Sequence, residues 1–242
     1  MTKRKQSLLL LMILVLSSLF VLDSCSTSKK SVKRNGITFN TPDYKQIKKV
    51  VNDKDSEFYY PELLRRFEAA DIALTPEQAY YFYYGTATRP DYNPYKLSNY
   101  KEVKEALNGD KNSEESWRKA AQVIEKELQS DPTNLRFHLY KQTVCSHLYG
   151  NESQQYLDAV SQVKTLLSAI MASGDGRSLE TAFHVISVTD EYGMMDFLGV
   201  SLKKQSIVND KGQSYDLMEF KENKYGLKSL YFNITVCMEA LH

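Results

Sequence analysis

The chain has 242 residues, a formal net charge of +1 from 31 basic and 30 acidic side chains, 42% hydrophobic residues and 12% aromatic residues. That length holds one or two domains, and the composition supports a packed core and excludes an intrinsically disordered chain. A charge balance this even argues against a nucleic-acid binder driven by phosphate neutralisation.

The first residues set the compartment. Lys3-Arg4-Lys5 is a basic start, and Leu8 to Leu22 is an apolar run too short for a membrane span and suited to a secretory signal. The run ends in Leu22-Asp23-Ser24-Cys25, which resembles a bacterial lipobox. The resemblance implies cleavage before Cys25, lipidation of Cys25, and residence in the cell envelope as a lipoprotein on the periplasm-facing outer membrane. An ordinary signal peptide or an uncleaved anchor is the alternative. Residues 1–24 thus read as a signal peptide, and the polar, basic residues 25–37 as a flexible tether favouring anionic headgroups. Residues 38–242 read as one α+β domain, helical over 42–174 and sheet-rich over 178–242.

In chain order, Asp43 to Asn52 carries Tyr44, Ile47, Val50 and Val51 at helical spacing, and Pro61 to Ala70 repeats the pattern with Leu63, Leu64 and Phe67. Thr75-Pro-Glu-Gln78 supplies an N-cap threonine, a first-turn proline and a capping-box glutamine. The helix it opens enters Tyr80–Tyr95, a stretch that holds six of the 17 tyrosines. Pro90 and Pro94 end that helix in a rigid loop. Helices follow from Ser98 to Leu107, from Ser113 through Leu128, to Tyr149, and from Ser153 to Ala172. The turn Asp131-Pro-Thr-Asn134 resembles that of a tetratricopeptide repeat, which implies a helical hairpin within Ser113 to Ile170; one degenerate unit is present, and no array.

Beyond Gly176 the composition turns β-branched. Phe183 to Val188, Gln205 to Val208, Tyr215 to Phe220 and Ser229 to Ile234 read as strands, while Asp190 to Leu198 fits helix or strand. The short connections around Gly212 and Gly226 predict a small C-terminal antiparallel sheet after the helical region.

Several motifs together resemble the domain of unknown function 4919 family of envelope lipoproteins in Bacteroidetes-type bacteria. They are Phe58-Tyr-Tyr-Pro61, Leu74-Thr75, Tyr83-Tyr-Gly85, Asp91-Tyr-Asn-Pro-Tyr95, Ser173-Gly-Asp-Gly176, Thr181-Ala-Phe-His-Val-Ile186, Asp190-Glu-Tyr192 and Leu230-Tyr-Phe-Asn-Ile234. The resemblance implies one evolutionary unit and no activity.

Candidates for chemistry are few. His184, Asp190 and Glu191, with Asp175 upstream, form the one polar cluster that suits a general base or a metal ligand in a hydrolase. His184 sits among apolar residues, and no metal-ligand spacing occurs, so a packed structural histidine is the plainer reading and no metal or cofactor is expected. Ser173-Gly-Asp-Gly176 lacks the residues of a phosphate or calcium loop. Cys145 and Cys237 remain after Cys25: an oxidising compartment permits a disulfide, and burial as free thiols is the commoner outcome.

The tyrosine stretch is the stronger candidate. Tyr81, Arg89, Tyr92 and Tyr95 are residue types that dominate interfaces, which predicts a binding surface for a protein or peptide partner, or for a glycan. The competing expectation is that these rings fold back as a plug. The sequence therefore predicts a non-enzymatic binding or scaffolding module, held to the membrane by its lipid.

Overall fold

The computed structural model describes residues 31–34, 36–70, 74–96, 100–108 and 113–241. The signal segment with Cys25, the Ser98 cap and Gly109 lie outside the described residues. No helix among the described residues is long and apolar enough to cross a membrane.

The described chain opens with a hairpin, β1 (Ser31–Arg34) and β2 (Ile37–Asn40), paired antiparallel from Ser31 opposite Asn40 to Arg34 opposite Ile37. This corrects the flexible tether expected up to residue 37. Asn35-Gly36 between two alternating segments is a hairpin signal that the basic composition masked. Gly36 supplies the positive φ that the turn needs. Arg34 then reaches across the fold, donating from Nη1 to Thr181 Oγ1 at 3.2 Å.

Seven helices follow: α1 (Tyr44–Val51), α2 (Tyr60–Ala69), α3 (Pro76–Thr86), α4 (Tyr100–Asn108), α5 (Glu114–Ser130), α6 (Leu135–Tyr149) and α7 (Gln154–Ser173). Their starts are chemically specified. Asp43, Asn134 and Ser153 accept backbone N–H groups as N-caps of α1, α6 and α7. Thr75 and Gln78 form the complete reciprocal capping box of α3. Eight successive residues of α3, from Gln78 to Gly85, are buried. A helix with no polar face belongs in the centre of a fold, and α3 packs there against α1, α2 and α7. The Asp131–Asn134 turn joins α5 to α6 as the expected helical hairpin, with α7 packed on the other flank of α6.

The C-terminal part holds β3 (Phe183–His184), α8 (Val188–Leu198), β4 (Leu202–Asp210), β5 (Gln213–Phe220), β6 (Ser229–Asn233) and α9 (Thr235–Glu239). The fold class is α+β, and β4, β5 and β6 form the expected antiparallel meander. One edge differs. Only Phe183–His184 of the Phe183–Val188 segment is strand, and it pairs parallel to β6, so the sheet is mixed, in the order β3-β6-β5-β4. The β-branched run is cut because Ser187 caps α8, its hydroxyl accepting the Thr189 N–H.

One buried apolar cluster runs from Ile47 of α1 through Leu166 and Ile170 of α7 to Met218 of β5, Phe232 of β6 and Cys237 of α9. Helices and sheet therefore share a core. A second, smaller cluster lies under α4, α5 and α6 around Val103, Ile124 and Phe137.

Candidate functional site

The tyrosines of α3 point inward and are used as buried hydrogen-bonding struts. The Tyr83 hydroxyl donates to Asp190 Oδ2 at 2.7 Å and accepts the Ile186 N–H at 3.3 Å. Asp190 Oδ1 accepts the N–H of Leu135, the first residue of α6, at 3.2 Å. One carboxyl group thus ties α3, α6 and α8 together, and satisfies a helix N-terminus that would otherwise be costly to bury. The Tyr84 hydroxyl donates to the backbone carbonyl of His184 at 3.0 Å and fixes β3 from the same helix.

Next to Asp190 lies a pair of carboxyl groups from distant parts of the chain. Glu191 of α8 meets Asp216 of β5, both buried. Asp216 Oδ2 accepts from Gln205 Nε2 at 2.6 Å, and Gln205 Oε1 accepts from the Tyr192 hydroxyl at 3.1 Å. No other donor reaches either oxygen of Glu191 or the Oδ1 of Asp216 among the described residues. Two buried carboxylates without a cation repel each other, which favours the neutral acid at Glu191. Burial first, then the neighbouring Asp216, raises the Glu191 carboxyl well above its ordinary range. Burial pushes Asp190 up to about 7, opposed by its Tyr83 and Leu135 donors.

These shifts set a pH dependence. Asp190 and Glu191 keep protons in the folded chain that the unfolded chain releases, so they stabilise the fold most at low pH. For Asp190 the loss begins near pH 4, its unfolded range, and is complete above about 7; for Glu191 it continues to higher pH. His138 and His184 act in the opposite sense. Burial lowers each to about 4, so they cost stability as pH falls from about 6.5 towards that value. Glu191→Gln is expected to narrow the alkaline loss, raising the melting temperature at about pH 9 and leaving it little changed at about pH 5. An equal change at both pH values in thermal melts contradicts a protonated Glu191 in the folded chain.

The residues expected to form a catalytic cluster are not brought together. The His184 ring makes no hydrogen bond among the described residues, and burial alone accounts for its lowered pKa, with no contribution from Asp190 or Glu191. Asp175 is occupied in its own loop, accepting from the Thr181 hydroxyl at 2.5 Å and from the Arg177 N–H at 3.0 Å. No group of three or more His, Cys, Asp or Glu side chains among the described residues is placed to hold a metal ion. Cys145 and Cys237 are both buried free thiols, which corrects the disulfide alternative. Cys145 is on α6 and lines a groove with α5 and α7, and Cys237 lies in the main core, its thiol pushed up to about 12 by burial.

The tyrosine loop closes over this polar core as a plug. Tyr81, expected to form part of a binding surface, is only 5% exposed and packs on Phe58 with the rings tilted and their centroids 4.3 Å apart. The correction follows from α3 being buried on all sides. The Tyr92 hydroxyl donates to the Ile186 carbonyl at 2.6 Å, and its ring packs against the main core. Ser187 Oγ donates to the Pro94 carbonyl at 3.2 Å. Arg89 lies over the Tyr60 ring, 4.7 Å from its centroid, and pairs with Asp91 at 3.2 Å. Tyr95, at 38% exposure, keeps an accessible ring, with its hydroxyl 3.4 Å from Met238 Sδ and its phenol in the field of Glu191, Asp216 and Cys237. Of the four residues expected to bind, Arg89 and Tyr95 remain reachable from solvent, while Tyr81 and Tyr92 do not form a free surface.

Open space occurs elsewhere. A groove of about 400 Å³ lies between α2, α5, α6 and α7, with Ile124, Val144 and Cys145 along its floor and Tyr149 among its walls. A second, of about 390 Å³, is lined by Tyr140, Gln142 and Thr143 of α6, Tyr156 of α7 and Asp196 of α8. Sequence reasoning missed both, because a groove depends on the relative placement of three or four helices. The hairpin turn at Asp131–Asn134 was the one available hint.

A family model described as domain of unknown function (DUF4919) matches residues 45–242, and the chain belongs to that family. No curated protein and no solved structure shows a match.

Proposed function

We propose that this member of the DUF4919 family is a lipid-anchored protein of the cell envelope that works without catalysis, as a binding or scaffolding module for a protein or peptide partner. The observation that carries the reading is the division of the molecule. Of the groups suited to chemistry, Asp190 and Glu191 are buried inside the fold and His184 shares no hydrogen bond with them, while a groove of about 400 Å³ opens on the helical layer. That volume lies in the range of ligand and peptide sites. The hydrolase alternative needs His184 beside a carboxylate in an open cleft, and that arrangement is missing among the described residues. A glycan-binding reading draws on the second groove, where the Tyr140 and Tyr156 rings stand with the Gln142 amide and the Thr143 hydroxyl.

Cross-linking in intact cells with mass spectrometry tests the binding reading: links from α5, α6 and α7 to one recurrent partner support it, and no recurrent partner counts against it. The anchor rests on the resemblance of Leu22–Cys25 to a lipobox. Cys25→Ala is expected to abolish acyl labelling and the lower-mass mature form, and unchanged labelling contradicts the anchor.

A further inference from the structure

The groove between α2, α5, α6 and α7 has a definite electrostatic character. Three carboxylates line it: Glu68 from α2, Glu125 from α5 and Asp158 from α7. They face a single cation, Lys141 of α6, which stands 3.9 Å from Glu125 in a loose pair. Among the described residues Glu68 and Asp158 have no ion-pair partner, and Asp158 Oδ1 accepts only a neutral donor, Gln154 Nε2, at 2.6 Å. The groove is thus net acidic in a molecule whose overall charge is almost balanced.

Two further observations concern the same groove. Its floor is apolar, from Ile124, Val144 and Cys145, and the ring of Tyr149 is 46% exposed at its side. An apolar floor with uncompensated charge at the rim suits a ligand that is itself part apolar and part cationic. A lysine or arginine side chain has that character, with an aliphatic stem below a charged tip.

We propose that this groove docks a lysine- or arginine-bearing segment of a partner protein. The cationic tips lie among Glu68, Glu125 and Asp158, and the stems and a neighbouring apolar side chain lie on the floor and against Tyr149. This assignment rests on the binding reading above and gives the partner its chemistry. Neutralising the rim carboxylates removes the attraction without touching the floor. Salt weakens the complex, because the rim charges lie near solvent.

The test uses the purified full chain and three labelled peptides matched in length and apolar content: one lysine-rich, one neutral and one glutamate-rich. Fluorescence anisotropy is expected to show the lysine-rich peptide binding at least about tenfold more tightly than the others, with the advantage shrinking at high salt. Glu68→Gln with Glu125→Gln, two exposed positions, is expected to weaken that binding by about tenfold while the melting temperature stays the same. Equal binding of the neutral peptide, or an unchanged affinity in the double variant, overturns the proposal. So does a concentration-dependent dimer in sedimentation that the double variant abolishes, because a second copy then fills the groove. If no peptide binds while cross-links from α5, α6 and α7 persist in cells, the partner is not basic and the binding reading stands. If both fail, that reading falls as well.

Discussion

Gly174→Ala is expected to destabilise the protein by about 3 kcal/mol, at the upper end of overpacking costs. Gly174 follows α7, where the chain turns back beneath the Thr181–Phe183 segment. Its backbone is extended and any residue could adopt it, so the constraint is space. A methyl group there would stand 2.3 Å from the carbonyl oxygens of both Thr181 and Ala182. Those atoms are backbone, and they are held. The Thr181 carbonyl accepts the N–H groups of Asp175 and Gly176 at 2.9 and 2.7 Å, and the Gly176 carbonyl accepts the Tyr231 N–H at 2.8 Å. Relief requires moving the start of β3 away from α7, which also disturbs the pairing of β3 with β6. Urea denaturation measures the effect; a midpoint equal to that of the unaltered chain contradicts this close approach.

Tyr92→Ala is expected to cost about 3 kcal/mol or more, in the range for truncating a buried aromatic ring. The ring packs against the main core, and its hydroxyl is the donor to the Ile186 carbonyl. Tyr92→Phe keeps the ring and removes only the donor, so it should cost about 1–2 kcal/mol. Arg89→Ala, at an accessible position resting on Tyr60, should cost less than about 1 kcal/mol. This ordering is the signature of a plug. A Tyr92→Ala variant as stable as Arg89→Ala would mean that the loop is a free surface after all, and that the Arg89–Tyr95 segment is open for a partner.

What was legible in the sequence was local. The capping box at Thr75–Gln78, the Asp131–Asn134 turn and the glycine-bearing turns between the last three strands each carry their signal within a few residues, and each element appears where those residues put it. The misreadings have physical causes of two kinds. The β-branched run Phe183–Val188 mixes two elements, because Ser187 caps a helix inside it, and residue preference cannot say where tertiary pairing ends. Tyr81 was expected at a binding surface because its residue type suits one, and residue type cannot say that α3 lies at the centre of the fold with no solvent face.

The candidate site was less legible still. Glu191 and Asp216 lie on α8 and β5, and nothing in the spacing of two carboxylates along the chain announces that a sheet will press them together. His184 drew attention as a histidine near Asp190 and Glu191 in sequence. The strand turns its backbone towards Tyr84, the acidic residues belong to the next helix, and the three side chains share no hydrogen bond. The groove carboxylates Glu68, Glu125 and Asp158 come from three helices and have no sequence pattern at all.

Site-specific photo-cross-linking in intact cells tests the division between a sealed polar core and an outward-facing helical groove most directly. A photo-reactive side chain in place of Tyr149, at 46% exposure beside the groove, is compared with one in place of Tyr95 on the plug and one in place of Tyr225 near the sheet, also 46% exposed. Capture of one partner from the Tyr149 position, absent from the Tyr225 position and reduced by Glu68→Gln with Glu125→Gln, is the expected result. Capture from the Tyr95 position alone, untouched by the groove substitutions, would place recognition on the tyrosine loop and contradict the assignment of the groove.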